Sequence, residues 1–318
     1  MRPRRVPLSL PIGEVRFFRD LDASAFAFVM ATGIVSVAAR FERLPALSEA
    51  LLVVAVATWI VLAVAVSART LANGDRRPRL ESFAVVAATA VLAARFAVAG
   101  WSVAALALWS LAIVEWVVLL ARRPQPVRPD GGWFLLVVGT ESLAVSAALL
   151  APYWSAGLLP AALGWWALGL CLYPFVAAAI GESLLRRPRF GPDLWVTMGA
   201  LAISTLAGSE LLLAGRTVGA FSPLHAWLRA ADIGTWAVAS AWIVPLVAAE
   251  LRHRADWCYR SSRWSFVFPL GMYSVSTQTL ARVGGLAPLA DVGRAFFVAA
   301  AAAWVIVLVG LGRRMVNG

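Results

Sequence analysis

Long apolar runs alternate with short, arginine-bearing polar breaks along the whole chain. An α-helix needs about 20 mostly apolar residues to cross a bilayer. Ten runs meet that length: 22–40, 47–67, 81–99, 101–121, 133–151, 158–184, 193–213, 228–251, 264–281 and 292–312. The third and fourth are joined only around Gly100, and Pro269 and Gly271 interrupt the ninth. The pattern predicts an all-α integral membrane protein whose backbone polar groups are satisfied within helices.

The breaks predict orientation. Arg2, Arg4, Arg5, Arg16 and Arg19 precede the first run. Every second break is also rich in arginine: Arg69, Arg76, Arg77 and Arg79; Arg122, Arg123 and Arg128; Arg186, Arg187 and Arg189; Arg252, Arg254, Arg260 and Arg263; and finally Arg313 and Arg314. The intervening breaks hold fewer: Arg40 and Arg43, Arg216 and Arg229, Arg282 and Arg294. Arginine excess marks cytoplasmic loops, so both termini are expected in the cytoplasm. A signal peptide cleaved near Ala39 would leave nine spans and break the alternation, so the first run is expected to remain as a span. The expected organisation is a basic cytoplasmic segment (1–21), one ten-helix membrane domain (22–312) and a cytoplasmic tail (313–318).

Composition agrees. The chain is 61% hydrophobic and 14% charged, with a mean hydropathy of +0.79, against roughly 45–50% and 25% for soluble domains. A soluble enzyme, a secreted domain and a disordered chain are excluded as whole-chain readings. The net charge is +11 and no lysine occurs. Because the arginines cluster between spans, the charge encodes topology and nucleic-acid binding is not expected. Cys171 and Cys258 form no CxxC pair, and His225 and His253 fall in loops. No metal site, haem or other cofactor is therefore expected, nor a catalytic constellation at one membrane depth.

Odd and even spans differ in kind. Val29–Ser36 (VMATGIVS), Leu136–Ser146 (LVVGTESLAVS), Val196–Thr205 (VTMGALAIST) and Phe268–Thr277 (FPLGMYSVST) each join a glycine to small or hydroxyl residues. Thr32 and Ser36 lie one turn apart, as do Ser142 and Ser146, and Ser274 and Thr277 are spaced i, i+3, so each pair shares a helix face. Even spans are bulkier and carry Trp109, Trp116, Trp165, Trp166, Trp236, Trp242 and Trp304. The simplest arrangement is five quasi-repeated helical hairpins around a central pore, one helix of each thin and lightly polar, the other bulky and outward-facing. Small and hydroxyl residues also serve helix packing; their recurrence in alternate spans favours a conduit.

These stretches, with FAFVMATGIVS, WFLLVVGTESLAV, PDLWVTMGALAIS and WSFVFPLGMYSVST as the matching segments, resemble the tellurite-resistance/dicarboxylate transporter family. That family includes bacterial tellurite-resistance permeases, fungal malate and sulfite transporters and plant guard-cell slow anion channels. The resemblance covers essentially the whole chain. It implies five hairpins with odd helices inside and even helices outside, a pore through each protomer of a homotrimer, and a phenylalanine gate on the ninth span. By its place before Pro269 the gate is Phe268, with Phe266 as the second candidate.

An anion that must pass rather than stick is suited by hydroxyls without fixed charge. The expected pore-lining set is Thr32, Gly33, Ser36, Gly139, Thr140, Ser142, Ser146, Gly199, Ser204, Pro269, Gly271, Ser274 and Thr277. Gly33, Gly139, Gly199, Pro269 and Gly271 are candidate helix breaks whose free N–H groups would favour anions. Glu141 and Glu115 fall at similar depth, and intramembrane carboxyls are costly and often functional. Glu141 either bonds a neighbouring helix, is kept neutral by burial or couples protons to transport, with Arg95 a candidate partner. Glu182, Glu210, Asp232 and Glu250 lie towards span ends and are expected to be solvated or capped. The function implied is a channel or facilitator for small inorganic or organic anions in the cell membrane. The alternative is a proton-coupled carrier for four-carbon dicarboxylates, sulfite or tellurite.

Overall fold

The computed structural model describes residues 25–73, 77–125, 128–187, 190–220, 224–252 and 261–317. The basic segment 1–21, Arg76, Arg189, Arg254, Arg260, His253 and Cys258 lie outside the described residues. Among the described residues ten α-helices follow one another: α1 (Phe26–Phe41), α2 (Pro45–Asn73), α3 (Ala84–Val98), α4 (Ser102–Ala121), α5 (Phe134–Trp154), α6 (Leu158–Arg186), α7 (Val196–Val218), α8 (His225–Arg252), α9 (Trp264–Gly284) and α10 (Ala287–Asn317). Each coincides with one apolar run. Helix α10 passes through Arg313 and Arg314, so the expected tail continues the last helix.

Eight of these helices, with their leading turns, are long and apolar enough to cross a membrane; α1 is a shorter apolar helix. Helix α9 is not among them, because Tyr273, Ser274, Ser276, Thr277, Gln278 and Thr279 dilute its hydropathy. All six are buried, so protein rather than lipid surrounds its polar face.

Two classes of helix are plain from burial. The most apolar windows of α3, α5 and α7 are 72–89% buried, those of α2, α4, α6, α8 and α10 only 11–22%. Helix contacts explain the difference. Helix α1 touches α3, α3 touches α5, α5 touches α7, α7 touches α9, and α9 returns to α1. This is a closed ring of five inner helices, each also packed on the outer helix that follows it.

Glycines let the ring close tightly. A Cβ on Gly33 would lie 2.8 Å from Val91 of α3, one on Gly199 2.9 Å from Pro269 of α9, and one on Gly271 2.8 Å from Ile34 of α1. Gly139 faces the Phe83 carbonyl and Val86. The helices run unbroken through all four positions. The expected breaks are therefore contact points between inner helices, and they expose no free N–H groups.

A second motif ties the outer layer to the ring. Each outer helix sends an indole N–H to the inner helix of the next hairpin. Trp59 donates to Thr89, Trp116 to Thr140, Trp166 to the Ser204 carbonyl, Trp236 to Thr277 and Trp304 to Thr32, all at 2.9–3.1 Å. The last of these joins α10 to α1, so the bonding pattern is cyclic. A buried indole N–H needs a partner, and a hydroxyl on a thin inner helix supplies one.

Helices α3, α5, α7 and α9 each begin with a 3₁₀ turn: Leu80–Phe83, Gly131–Trp133, Pro192–Trp195 and Ser261–Arg263. The turns touch in sequence. Asp130 accepts from the Gly132 N–H at 3.0 Å and Asp193 from the Gly131 N–H at 2.8 Å. Both carboxylates sit where helix N-termini favour negative charge.

Candidate functional site

Inside the ring lies a narrow cavity of about 30 Å³, towards the C-terminal ends of the inner helices. All five inner helices line it: Ile34, Val37 and Phe41 of α1; Ala90, Val91, Ala94 and Val98 of α3; Ser142, Val145 and Leu149 of α5; Ile203, Leu206 and Glu210 of α7; Met272 and Val275 of α9. Only Ser142 and Glu210 bring polar side chains. An ion here would be surrounded almost wholly by hydrocarbon, and such constrictions control passage by excluding water.

The remaining expected lining hydroxyls turn away from the axis. Thr32 accepts from Trp304, Thr140 from Trp116 and Thr277 from Trp236. Ser36 donates to the Ser48 carbonyl of α2 at 2.7 Å, Ser146 to the Ala90 carbonyl of α3 at 2.9 Å and Ser274 to the Gly293 carbonyl of α10 at 2.7 Å. Ser204 donates to Glu141 at 2.8 Å. The physical reason is that an apolar interior leaves hydroxyls to bond neighbouring helices. Spacing showed which hydroxyls share a face, not which face meets the axis.

The faces of α9 are fixed by their partners. Gly271 meets α1 and Pro269 meets α7. Tyr273 and Thr277 bond α8, and Ser274 bonds α10. At about 100° per residue, one stripe is left between the α1 and α7 contacts and opposite the outer helices. It comprises residues 268, 272, 275, 279 and 282. Met272 and Val275 of this stripe line the cavity. Phe268, 1% exposed, lies one turn below Met272 on the same stripe, and it is not among the residues that line the cavity. Phe266 points elsewhere, its ring edge-on to Trp195 with centroids 4.6 Å apart.

Glu141 lies behind the ring, in the α5–α6–α7 seam. One carboxyl oxygen accepts from Ser204, and the other is buried without a hydrogen-bond partner. Gly169 of α6 makes room, since a Cβ there would collide with the carboxyl group. Glu115 approaches Thr89 of α3 and likewise keeps one oxygen unpartnered. Arg95 is no partner of Glu141. It is fully buried and donates to Ser36 and Ser48 at 2.9 Å and to Glu49 at 2.8 Å, binding α3 to α1 and α2.

Two carboxyls at span ends depart from the expected solvation. Asp232 of α8 is fully buried and accepts from Ser209 of α7 at 2.6 Å, and Glu210 lines the axial cavity. Glu182 and Glu250 fit a solvated or capped role, paired with Arg186 at 2.6 Å and Arg263 at 2.7 Å. His225 lies beside Arg216, and Cys171 is exposed on α6. Among the described residues no cluster of metal-ligating side chains occurs.

The family model that matches residues 20–311 is described as voltage-dependent anion channel. An uncharacterised membrane protein of Mycobacterium tuberculosis is 33% identical over 148 residues, which are 44% of this chain and 75% of that one. An uncharacterised transporter of Methanocaldococcus jannaschii is 21% identical along 95% of this chain and 97% of its own length. Together with the apolar helices, these relatives mark a multi-pass membrane protein.

Proposed function

Because the chain belongs to the voltage-dependent anion channel family, a family of transporters and channels rather than enzymes, we propose that it passes small anions along the axis of its inner-helix ring, as a channel or facilitator gated by Phe268. The observation that carries this reading is the α9 stripe. The axial cavity is lined from all five inner helices, among them Met272 and Val275 of α9, and helix periodicity puts Phe268 on the same face one turn below Met272. The arginine bias of the breaks supports Phe268 on the cytoplasmic side and the cavity on the outer side. Pairing of the expected lining hydroxyls to neighbouring helices leaves a path lined chiefly by apolar side chains. Such a path suits a weakly hydrated monovalent anion better than a divalent dicarboxylate, whose desolvation costs far more. The protomer carries a complete ring; assembly as a homotrimer belongs to this proposal.

A second reading is supported by Glu141. A fully buried carboxyl with one unpartnered oxygen is the group a proton-coupled carrier would use. Its place behind the ring, away from the axial cavity, favours the channel.

The test is flux from reconstituted liposomes, comparing chloride, nitrate, malate and sulfite at two pH values with and without a proton gradient. A channel gives flux that follows the anion gradient alone and favours chloride or nitrate. Uptake that requires a proton gradient and is lost in Glu141→Gln overturns it in favour of the carrier.

A further inference from the structure

The stripe that ends in Phe268 at one end of α9 reaches Arg282 at the other, fourteen residues and about 21 Å along the helix. Arg282 lies in the last turn of α9 and is exposed. Its guanidinium carbon stands 4.1 Å from the centroid of the Phe41 ring, and Phe41 lines the axial cavity. Across the same mouth, Glu210 lines the cavity from α7, and burial acts on its carboxyl more strongly than the Arg282 charge does.

Four other arginines at this end have structural employment. Arg216 donates to the Val283 carbonyl at 3.3 Å and Arg229 to the Gly284 carbonyl at 3.4 Å, closing the C-terminus of α9. Arg95 is buried among Ser36, Ser48 and Glu49, and Arg294 pairs with Glu42 and Asp291. Arg282 instead has an aromatic face that fixes it by a cation–π contact, and one carboxylate across the mouth.

We propose that Arg282, seated on Phe41, is an anion-recognition site at the outer mouth of the axial path, taking a small monovalent anion such as a halide or nitrate in exchange for Glu210. The inference rests on the axial-path reading and deepens it. Phe41 holds the guanidinium at the rim, so its N–H groups are oriented before the anion arrives. In its ionised form Glu210 competes for the same charge. An anion therefore meets attraction strong enough to enter, yet is released when the carboxylate returns, the balance that conduction requires. The two residues act in opposite directions. Without Arg282 the carboxylate repels anions from the mouth; without Glu210 the guanidinium holds them longer.

The test reads local potential without requiring flux. A Val98→Cys variant, on a Cys171→Ala, Cys258→Ala background, places a thiol on the cavity wall of α3; Leu149→Cys provides a second position on α5. In nanodiscs, where both faces are open to reagent, its reaction rates with an anionic and a cationic methanethiosulfonate are compared. The anionic-to-cationic ratio should fall by at least about threefold on adding Arg282→Gln and rise on adding Glu210→Gln. Chloride should slow the anionic reagent when Arg282 is present and not in Arg282→Gln. A ratio unmoved by Arg282→Gln, indifference to chloride, or failure of both thiols to react overturns the site. Liposome flux with the same variants separates the two readings: altered labelling with no wild-type flux sinks the channel and keeps the site, whereas flux with unaltered labelling does the reverse.

Discussion

Phe268→Ala should both open the axial path and cost less stability than a buried phenylalanine normally costs. Truncating a phenylalanine in a dry core destabilises by about 3–5 kcal/mol, the sum of lost transfer energy and an empty cavity. The transfer part alone is about 1.5–3 kcal/mol. On the axial reading, the vacated volume joins the path's free space of about 30 Å³ and fills with water, so the cavity part largely disappears. Phe268→Ala should therefore cost about 1.5–3 kcal/mol. A matched control is Phe83→Ala. Phe83 is 0% exposed and packs against Trp116 with ring centroids 6.5 Å apart, so its loss leaves a dry void and costs about 3–5 kcal/mol. Denaturant unfolding of the two variants in one detergent measures the difference. Chloride efflux from liposomes measures the gate, and a rise of about tenfold corresponds to about 1.4 kcal/mol removed from the barrier. A folded Phe268→Ala protein that keeps wild-type flux and shows the full dry-core penalty would refute the assignment, because Phe268 would then be packing in a seam.

Three further outcomes follow from the geometry. Gly169→Ala drives a methyl into the Glu141 carboxyl and should destabilise by about 1–3 kcal/mol, with the Gly169→Ala, Glu141→Ala double variant recovering part of the loss; equal additive losses in unfolding free energy would show that the two do not touch. Arg95→Met should destabilise by about 1–3 kcal/mol, less than removing half of a fully buried ion pair, because Glu49 is half-exposed and Ser36 and Ser48 keep their reciprocal bonds at 2.7 Å; an unchanged unfolding midpoint would contradict the role of Arg95 as the tie among α1, α2 and α3. At the membrane surface, burial first and the nearby Asp193 charge second push the Asp130 carboxyl above its ordinary value of 3.8. A carboxyl raised in the folded state binds its proton more tightly there than in the unfolded chain, so its contribution is greatest in acid and is lost as pH rises through the folded value. Asp130→Asn should therefore flatten the fall in stability as pH rises above about 4, and unfolding midpoints that keep the wild-type slope would argue against it.

Much of the architecture was legible because lipid imposes a simple rule. The run 158–184 became Leu158–Arg186 and the run 101–121 became Ser102–Ala121, since apolar length and helix length are nearly the same quantity in a bilayer. The even-span tryptophans marked bulky outer helices correctly, but their indole N–H groups reach inward, a direction that needs the neighbouring helix to define it. Thr32, Thr140 and Thr277 stand out in the sequence, but their orientation does not, for the same reason. Asp232 and Glu210 were judged by distance from span ends, whereas the packing of α7 on α8 buries one and turns the other to the axis. The lining residues Ile34, Val91, Met272 and Val275 carried no chemical signal. The i, i+4, i+7 spacing of 268, 272 and 275 picks out only the last two, once the α1 and α7 faces of α9 are known.

The indole bonds also impose an order of events. Trp59 and Thr89 are 30 residues apart, and Trp116 and Thr140 only 24, so a ribosome delivers each such pair almost together. Trp304 and Thr32 are separated by 272 residues. The first helix enters the bilayer with its hydroxyl unmatched and waits for the final helix to be synthesised. The seam between α10 and α1 is thus the last to form, and it demands the longest loop closure. A growing chain is an open arc with two raw edges, each a candidate for quality-control machinery or for a neighbouring chain. Only completion of the last helix turns the arc into a barrel of helices with no edge to recognise.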